Sequence, residues 1–327
     1  MSGRLELLRL LADGSRHSGE ELAAALSISR AAVWKRLQQL EAWGIALEAK
    51  PGRGYRLGAP LDLLDAAGIR RRLPAAALER LRHLEVHETL ESTSDRLLAA
   101  GSLPPGRFDA CLAEFQSAGR GRRGRRWVAP FASGLCLSVS WSYRDAPATL
   151  GALSLAAGVA TLRALRRLRF DGLALKWPND IVHADGKLGG ILIDLRGEAA
   201  GPAYVVIGIG INVRLPVAAI AQLRAAGTDA IDLSTLARPP PRDELAAVLI
   251  AELTQALVEF GGRGLAAFAD EWERADALAG RRVAVLHGGQ TLEGLACGVD
   301  ADGALLLDVG DDRRRILSGE VSVRPVQ

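Results

Sequence analysis

Four short stretches gather the side chains able to handle anions. The densest, Gln116-Ser117-Ala118-Gly119-Arg120-Gly121-Arg122-Arg123-Gly124-Arg125-Arg126-Trp127, packs five arginines and three glycines between two apolar segments, residues 110–115 and 135–141. Glycine lets the backbone turn with positive φ and lets an anion approach the amides, while a guanidinium fork meets two carboxylate or phosphate oxygens at once. That composition suits a clamp on a nucleotide or a carboxylate. An arginine-rich nucleic-acid patch or a disordered tail is the competing reading. The run occurs once, is internal and ends in a tryptophan, and all three features count against the competitor.

In Lys176-Trp177-Pro178-Asn179-Asp180, the proline stops a strand and turns Asn179 and Asp180 outward. An amide and a carboxylate there could handle a ribose, a metal-bound phosphate or an incoming amine, or serve only as turn chemistry. Gly186-Lys187-Leu188-Gly189-Gly190 lacks the spacing of a P-loop, yet its lysine could act as a point charge on a carboxylate or an α-phosphate. Gly208-Ile209-Gly210-Ile211-Asn212-Val213 lacks the third glycine of a dinucleotide fingerprint and reads as a glycine-lined wall beside a flat ligand. Upstream, the hydroxyls of Ser92-Thr93-Ser94-Asp95 either cap a helix or also face a ligand.

Alternating strands and helices must position these stretches. Strands are expected at 84–88, 110–116, 135–141, 173–177, 180–183, 189–195 and 203–213, with a tight hairpin at Ala184-Asp185-Gly186. Helices are expected at 92–100, 149–168, 242–260 and 265–278. Several hairpins and few crossovers predict an α+β domain with a mixed, mostly antiparallel sheet backed by helices.

Residues 1–57 read as a winged helix-turn-helix. A leucine-rich first helix ends at Asp13-Gly14, and Ser18 with Glu21 forms a capping box for the second. A third runs from Arg30 to Trp43 and stops at Gly44, with Val33, Leu37 and Leu40 inward and Arg30, Lys35, Arg36 and Gln38 on or near the outward side. Strands 45–49 and 55–57 make the wing around Lys50-Pro51-Gly52-Arg53-Gly54. A three-helix protein-interaction module is the alternative on the same scaffold. Ser29, Arg30, Lys35, Arg36 and Arg53 are the candidate DNA contacts.

The segment 59–83 reads as a linker, and 280–327 as a small barrel of short strands punctuated by turns such as His287-Gly288-Gly289. The resulting division is 1–58 for DNA, 59–83 as linker, 84–279 for catalysis and 280–327 for the barrel.

With 327 residues, 49% of them apolar and 24% charged, the chain can bury a sizeable core. Residues 1–58 hold nine Lys/Arg against six Asp/Glu and the rest is balanced, so the net +3 sits in the N-terminal segment. There are 37 arginines and four lysines, and Lys176 and Lys187 fall close together, a sign that a compact ammonium is wanted there. Cys111, Cys136 and Cys297 are odd in number, far apart and set in apolar runs; they read as core residues. No metal-ligand spacing occurs. No stretch approaches the ~20 apolar residues of a membrane span, and the N-terminus is not a signal peptide, so a cytoplasmic protein with no membrane partner is expected.

Taken together in this order, Ser92-Thr93, the arginine loop ending in Trp127, Lys176-Trp177-Pro178-Asn179-Asp180, Lys187-Leu188-Gly189-Gly190-Ile191-Leu192 and Gly208-Ile209-Gly210-Ile211-Asn212 resemble the biotin-protein ligases. His17-Ser18-Gly19-Glu20, Ser29-Arg30-Ala31-Ala32-Val33-Trp34-Lys35 and Pro51-Gly52-Arg53-Gly54-Tyr55 further resemble the bifunctional subgroup that represses the biotin operon. The resemblance covers nearly the whole chain. It implies a catalytic fold of the class II aminoacyl-tRNA synthetase and biotin ligase type, and an SH3-like C-terminal barrel.

The implied reaction has two steps. Biotin and Mg-ATP give biotinyl-5'-adenylate and pyrophosphate; a lysine of the biotin carboxyl carrier protein of acetyl-CoA carboxylase then displaces AMP. By the family pattern Ser92, Thr93, Ser94, Gln116, Gly119, Arg120, Gly121, Arg122, Lys187, Gly190 and Gly208 would hold biotin. Arg120, Arg122, Trp127, Lys176, Asn179, Lys187, Gly210 and Asn212 would hold the adenylate. Lys187, Arg120, Arg122 and Asp180 would be the catalytic set, with Asp180 orienting or deprotonating the acceptor lysine. Homodimerisation on adenylate binding and recognition of biotin-operon DNA come with the same resemblance.

The sequence departs from the family at Ser94, where asparagine is common, and in the loop 217–231, which lacks a tryptophan to cover the adenine and offers Leu223, Ile231 or another apolar residue instead. Competing functions are a lipoate-type ligase on the same fold and a ligand-sensing transcription factor without ligase activity. The arginine loop and Lys187 favour biotin ligation.

Overall fold

The computed structural model describes every position except 1–2, 42, 44, 51, 59, 102, 185, 198–201, 288–289, 318–320 and 326–327. Five elements form the N-terminal unit: α1 (Gly3–Leu11), α2 (Gly19–Ala25), α3 (Arg30–Glu41), β1 (Leu47–Lys50) and β2 (Gly54–Leu57). The capping box is formed, with Glu21 N donating to Ser18 Oγ at 3.1 Å and Ser18 N donating to the Glu21 carboxylate at 2.8 Å. Val33, Leu37 and Leu40 bury the inner face of α3 against Leu7, Leu8, Leu11 and Leu22. The wing strands pair antiparallel, Leu47 opposite Leu57. The expected stop at Gly44, the wing residue Pro51, the hairpin residue Asp185 and the turn glycines 288–289 lie outside the described residues.

This unit takes one core residue from far along the chain. Phe131 is buried among the leucines and stacks on Trp43, ring centroids 4.8 Å apart and 3° from parallel.

The stretch read as a linker with a short helical pattern carries α4 (Ala66–Arg72) and α5 (Ala75–Arg80). Asp65 caps α4 by accepting from Gly68 N at 2.8 Å, and Leu64, Ile69, Leu73 and Ala77 enter the core of the next domain. The four-residue steps from Ile69 to Leu73 and on to Ala77 keep these side chains on one side as the chain crosses the core.

The central domain runs through β3 (Leu81–Leu90), α6 (Thr93–Ala100), β4 (Phe108–Gln116), β5 (Gly134–Tyr143), α7 (Leu153–Arg167), β6 (Leu173–Lys176), β7 (Asp180–His183), β8 (Gly186–Gly197) and β9 (Ala203–Asn212). It closes with α8 (Val217–Ala225), α9 (Leu233–Leu236), α10 (Arg242–Arg263) and α11 (Ala269–Ala275). The loop expected at 217–231 is therefore partly helical. The seven strands lie in the order β3-β4-β5-β9-β8-β7-β6, and β3 with β4 is the parallel pair in an otherwise antiparallel sheet. Along β9, Val205, Ile207, Ile209 and Ile211 face the main core, which α7 and α10 build. The alternate residues Val206, Gly208, Gly210 and Asn212 face the opposite side, where α6 packs. Large side chains stop at Val206, and a glycine floor begins there.

The helix Arg242–Ala267 is long and apolar enough to cross a membrane by length and composition, which the sequence reading did not anticipate, but 61% of its apolar window is buried inside the protein. It is a core helix.

The C-terminal strands β10 (Arg282–His287), β11 (Gln290–Val299), β12 (Leu305–Val309), β13 (Asp312–Ile316) and β14 (Val321–Pro325) form an antiparallel sheet in the order β13-β12-β11-β10-β14. The last strand was not anticipated. Val283, Val285, Leu305 and Leu307 join the core of the central domain, and Trp177 donates its indole N–H to Gly303 O at 3.0 Å.

Candidate active site

The glycine floor is framed in register by the two strands that flank β9, β5 and β8. Gly208 lies between Ser138 and Leu192, and Gly210 between Cys136 and Gly190. A Cβ on Gly208 would stand 2.7 Å from Ser94 Oγ, and one on Gly210 would overlap the indole of Trp127. Both positions therefore require glycine for close approach, not for a turn.

One end of the floor is a hydroxyl and amide cluster. Ser92 caps α6, its Oγ accepting from Asp95 N at 3.3 Å. Thr93 donates both its N–H (2.7 Å) and its hydroxyl (3.1 Å) to Gln116 Oε1, and its Oγ1 lies 2.7 Å from Ser138 Oγ. Ser94 Oγ lies 3.0 Å from the same Ser138 hydroxyl. So Ser92 serves the helix end, whereas Thr93 and Ser94 turn inward. Ser138 was missed in the sequence; the signal was there in alternate serines 138, 140 and 142 along an otherwise apolar, fully buried strand.

The arginine loop is a small hairpin of its own. Gly121 N donates to Arg125 O at 2.7 Å and Trp127 N to Gly119 O at 2.9 Å, with one turn of 3₁₀ helix at Arg122–Gly124 between them. This geometry separates the arginines. Arg120 forks onto Asp194 of β8, its two terminal nitrogens 3.1 and 2.7 Å from the two carboxylate oxygens, and also meets Asp95 of α6 at 2.9 Å. The expectation of Arg120 as a clamp on the adenylate thus meets a guanidinium already committed to two carboxylates. Neither partner was singled out from sequence, although an acid inside Ile191-Leu192-Ile193-Asp194 was a visible interruption of an apolar strand.

Arg122 reaches the other end of the floor. Its Nη1 donates to Asn179 Oδ1 at 3.4 Å, and Asn179 in turn donates to Ile191 O at 2.7 Å. Burial depresses the pKa of Arg122, with the carboxylate of Asp180 opposing the shift; a guanidinium stays charged even so. Lys187 Nζ donates to Asp180 Oδ1 at 2.6 Å. Asn212 donates to Lys187 O at 3.3 Å and Ile231 O at 2.9 Å, and Ile231 N returns a bond to Lys187 O at 3.0 Å. Of the two apolar residues named as a cover, Ile231 is the one tied to the lysine. Lys176 sits opposite Asp180 in the β6–β7 pair, and Trp177 between them is buried in the core.

The structure thus brings together Thr93, Ser94, Gln116, Gly119, Trp127, Asn179, Asp180, Lys187, Gly190, Gly208, Gly210 and Asn212 around one floor, with Gly121 and Arg122 in the loop beside it. Ser29, Arg30, Lys35, Arg36 and Arg53 lie together on the N-terminal unit instead. Ser29 caps α3 by accepting from Ala32 N at 3.2 Å, and Arg30 pairs with Glu20 at 3.0 Å. Lys35 and Arg53 are exposed and Arg36 is half-buried. Trp34 is 45% exposed beside the wing residue Tyr55.

Cys111 and Cys136 are buried, and burial pushes their thiols up to about 12 and about 11. Cys297 departs from the expectation of a core residue: it is partly exposed and donates to Asp308 at 3.1 Å. Among the described residues, Glu85, His87 and Cys111 approach closely enough to share a metal ion. Arg96 already holds Glu85 at 2.8 Å, and its charge opposes a cation there.

Comparison with known proteins adds three family matches. Residues 87–212 match the biotin/lipoate A/B protein ligase family, residues 279–324 the biotin protein ligase C terminal domain, and residues 4–56 an HTH domain. The chain is similar to the bifunctional ligase/repressor BirA of Escherichia coli (strain K12), 39% identical over 331 residues spanning 99% of this chain and 98% of that one. It is also similar to the biotin–[acetyl-CoA-carboxylase] ligase of Mycobacterium tuberculosis, 36% identical over 79% of this chain and 95% of the relative. Among solved structures, the biotin protein ligase from Aquifex aeolicus in complex with biotin and ATP is 26% identical and matches with a TM-score of 0.61 over 76% of this chain and all of that one.

Proposed function

The chain belongs to the biotin protein ligase family, in the branch of bifunctional ligase/repressors, and on that premise we propose how its residues carry out ligation and repression. It joins biotin to a lysine of a biotin carboxyl carrier protein through an adenylate, and it acts on DNA through its N-terminal unit. The observation that carries the catalytic reading is the convergence of Lys187 and Arg122 on Asp180 and Asn179 at one end of a glycine floor. Its other end is the Gln116, Thr93, Ser94 and Ser138 cluster.

In this reading the hydroxyl and amide cluster receives the polar ring of biotin, and the backbone of Gly119 and Arg120 lies along its carboxylate. Magnesium enters with ATP as part of the substrate. A carboxylate oxygen of biotin attacks the α-phosphorus, and the bond to the bridging oxygen breaks to release pyrophosphate. Two anions must meet for this, and Arg122 and Lys187 offset their repulsion and the charge that builds on phosphorus. Asp180 holds Lys187 until substrate arrives and afterwards faces the incoming amine. That amine attacks the acyl carbon and passes a proton to Asp180, the bond from the acyl carbon to the phosphate oxygen breaks, AMP departs, and the amide forms. Trp127, Gly210, Asn212 and Ile231 shape the nucleotide side.

Mass spectrometry of the protein with biotin, Mg-ATP and a carrier domain should show one added biotin per carrier. Lys187→Ala should cut pyrophosphate release by about 100-fold or more; release at the wild-type rate would remove Lys187 from the mechanism.

The repressor arm includes pairing of two copies on the adenylate, in the cytoplasm. Exposed Lys35 and Arg53 act on phosphates. Replacing both by alanine should weaken operator binding in a band shift with biotin and Mg-ATP, and should lower the slope of log affinity against log salt by about 2. An unchanged slope would exclude them as phosphate contacts.

A further inference from the structure

The Arg120 guanidinium crosses from the loop to β8 and meets Asp194 through both terminal nitrogens, and one of these also reaches Asp95 on α6. Three elements that frame the floor are therefore tied at one point: the loop through Arg120, the helix bearing Thr93 and Ser94 through Asp95, and the strand bearing Lys187 and Gly190 through Asp194. Asp194 pairs with Val206 across the sheet, next to Leu192 opposite Gly208, so the tie lies on the floor's face beyond the Gly208 end. That is the end of the hydroxyl cluster, away from the Lys187–Asp180 pair.

We propose that Asp194, with Asp95, is a positioning residue that holds Arg120 as a fixed closure over the biotin end of the site, so that it governs retention of biotin and not chemistry at phosphorus. A two-point fork fixes the plane of the guanidinium as well as its position, which a single contact does not. The fork also holds the backbone of residues 119–121 where biotin's carboxylate lies. The inference rests on the biotin site proposed above.

The contrasting role for the same contact is a parking place. In that case the carboxylates hold Arg120 only until a phosphate draws it away. The two differ in sign. With a fixed closure, Asp194→Asn speeds biotin dissociation and raises the KM for biotin, leaving the KM for ATP and the kcat of adenylation at saturating biotin near wild type. With a parking place, Asp194→Asn frees Arg120 and lowers the KM for ATP or raises the kcat.

The experiment is stopped-flow biotin dissociation together with pyrophosphate-release kinetics, on the full chain, for wild type, Asp194→Asn, Asp194→Glu, Arg120→Ala, Asp194→Ala and the double variant that combines the two alanine substitutions. The expected result is dissociation faster by about tenfold in Asp194→Asn, equivalent to about 1.4 kcal/mol, partial recovery in Asp194→Glu, and a double variant no worse than Arg120→Ala alone. Unchanged biotin dissociation, an effect confined to ATP, or strictly additive losses would overturn the inference. Failure of the wild-type protein to bind biotin would instead overturn the reading of the site itself.

Discussion

Two arginines of this protein each hold a carboxylate, in opposite surroundings. Arg242 and Glu114 are almost fully buried, at 1% and 2% side-chain exposure, whereas Arg120 is 36% exposed. Arg242 uses its whole fork: Nη1 donates to Glu114 at 2.6 Å and to Asp62 O at 2.8 Å, and Nε and Nη2 donate to Gly134 O at 3.0 and 2.7 Å. Glu114 also accepts from Leu64 N. The pair thereby joins α10, the segment before α4, and strands β4 and β5 on either side of the arginine loop. Among the described residues, the Arg120 guanidinium meets the carboxylates of Asp95 and Asp194 at the edge of the floor, and its Nε has no hydrogen-bond partner. The buried pair fixes the frame from which the loop hangs, and the half-exposed pair sets how the loop closes.

Breaking each pair should separate these roles. The largest effect is expected for Arg242→Ala, which strands a buried carboxylate and should cost about 3–5 kcal/mol in urea unfolding, while Arg242→Met with Glu114→Gln recovers most of it. Arg120→Ala should cost about 0–1 kcal/mol in the same assay, because water screens its contacts. Equal losses at the two arginines would erase the distinction.

A smaller test uses a half-buried carboxylate that has no cation partner among the described residues. Asp276 accepts from Leu278 N at 2.8 Å through one oxygen, and its other oxygen is buried with no hydrogen bond among the described residues. Burial raises its pKa above the ordinary aspartate value. The folded protein therefore favours the protonated form, so this contribution is full below the ordinary value and is lost as pH rises through the raised one. Stability measured from about pH 4 to pH 7 should decline less steeply in Asp276→Asn. An identical profile would show that a lone half-buried carboxylate here carries no pH dependence.

Much of the site was legible in the chain. The arginine loop, the Trp177-Pro178 turn, Lys187 and the two floor glycines each announce themselves by residue type, and the capping box at Ser18 and Glu21 is complete over four residues. Short local rules decide these features: a glycine permits close approach, a proline ends a strand, and an N-cap hydroxyl satisfies a free amide. Less legible were the docking of residues 64–81, the helix over Val217–Ala225, the strand Val321–Pro325 and the exposure of Cys297. A short amphipathic helix and a linker carry nearly the same pattern until a partner surface is known.

The sequence by itself determined which side chains are available: cations able to meet anions, hydroxyls and an amide able to hydrogen-bond a polar group, and glycines that allow close approach. Only the tertiary structure decided who meets whom. Arg120 and Asp194 are 74 positions apart in sequence and Arg242 and Glu114 are 128 apart, and Ser138 reaches Thr93 and Ser94 because strand register sets it beside Gly208. Residue type is a local property, but a charge or hydroxyl acquires its role from its neighbours, and sheet order and helix packing choose those neighbours.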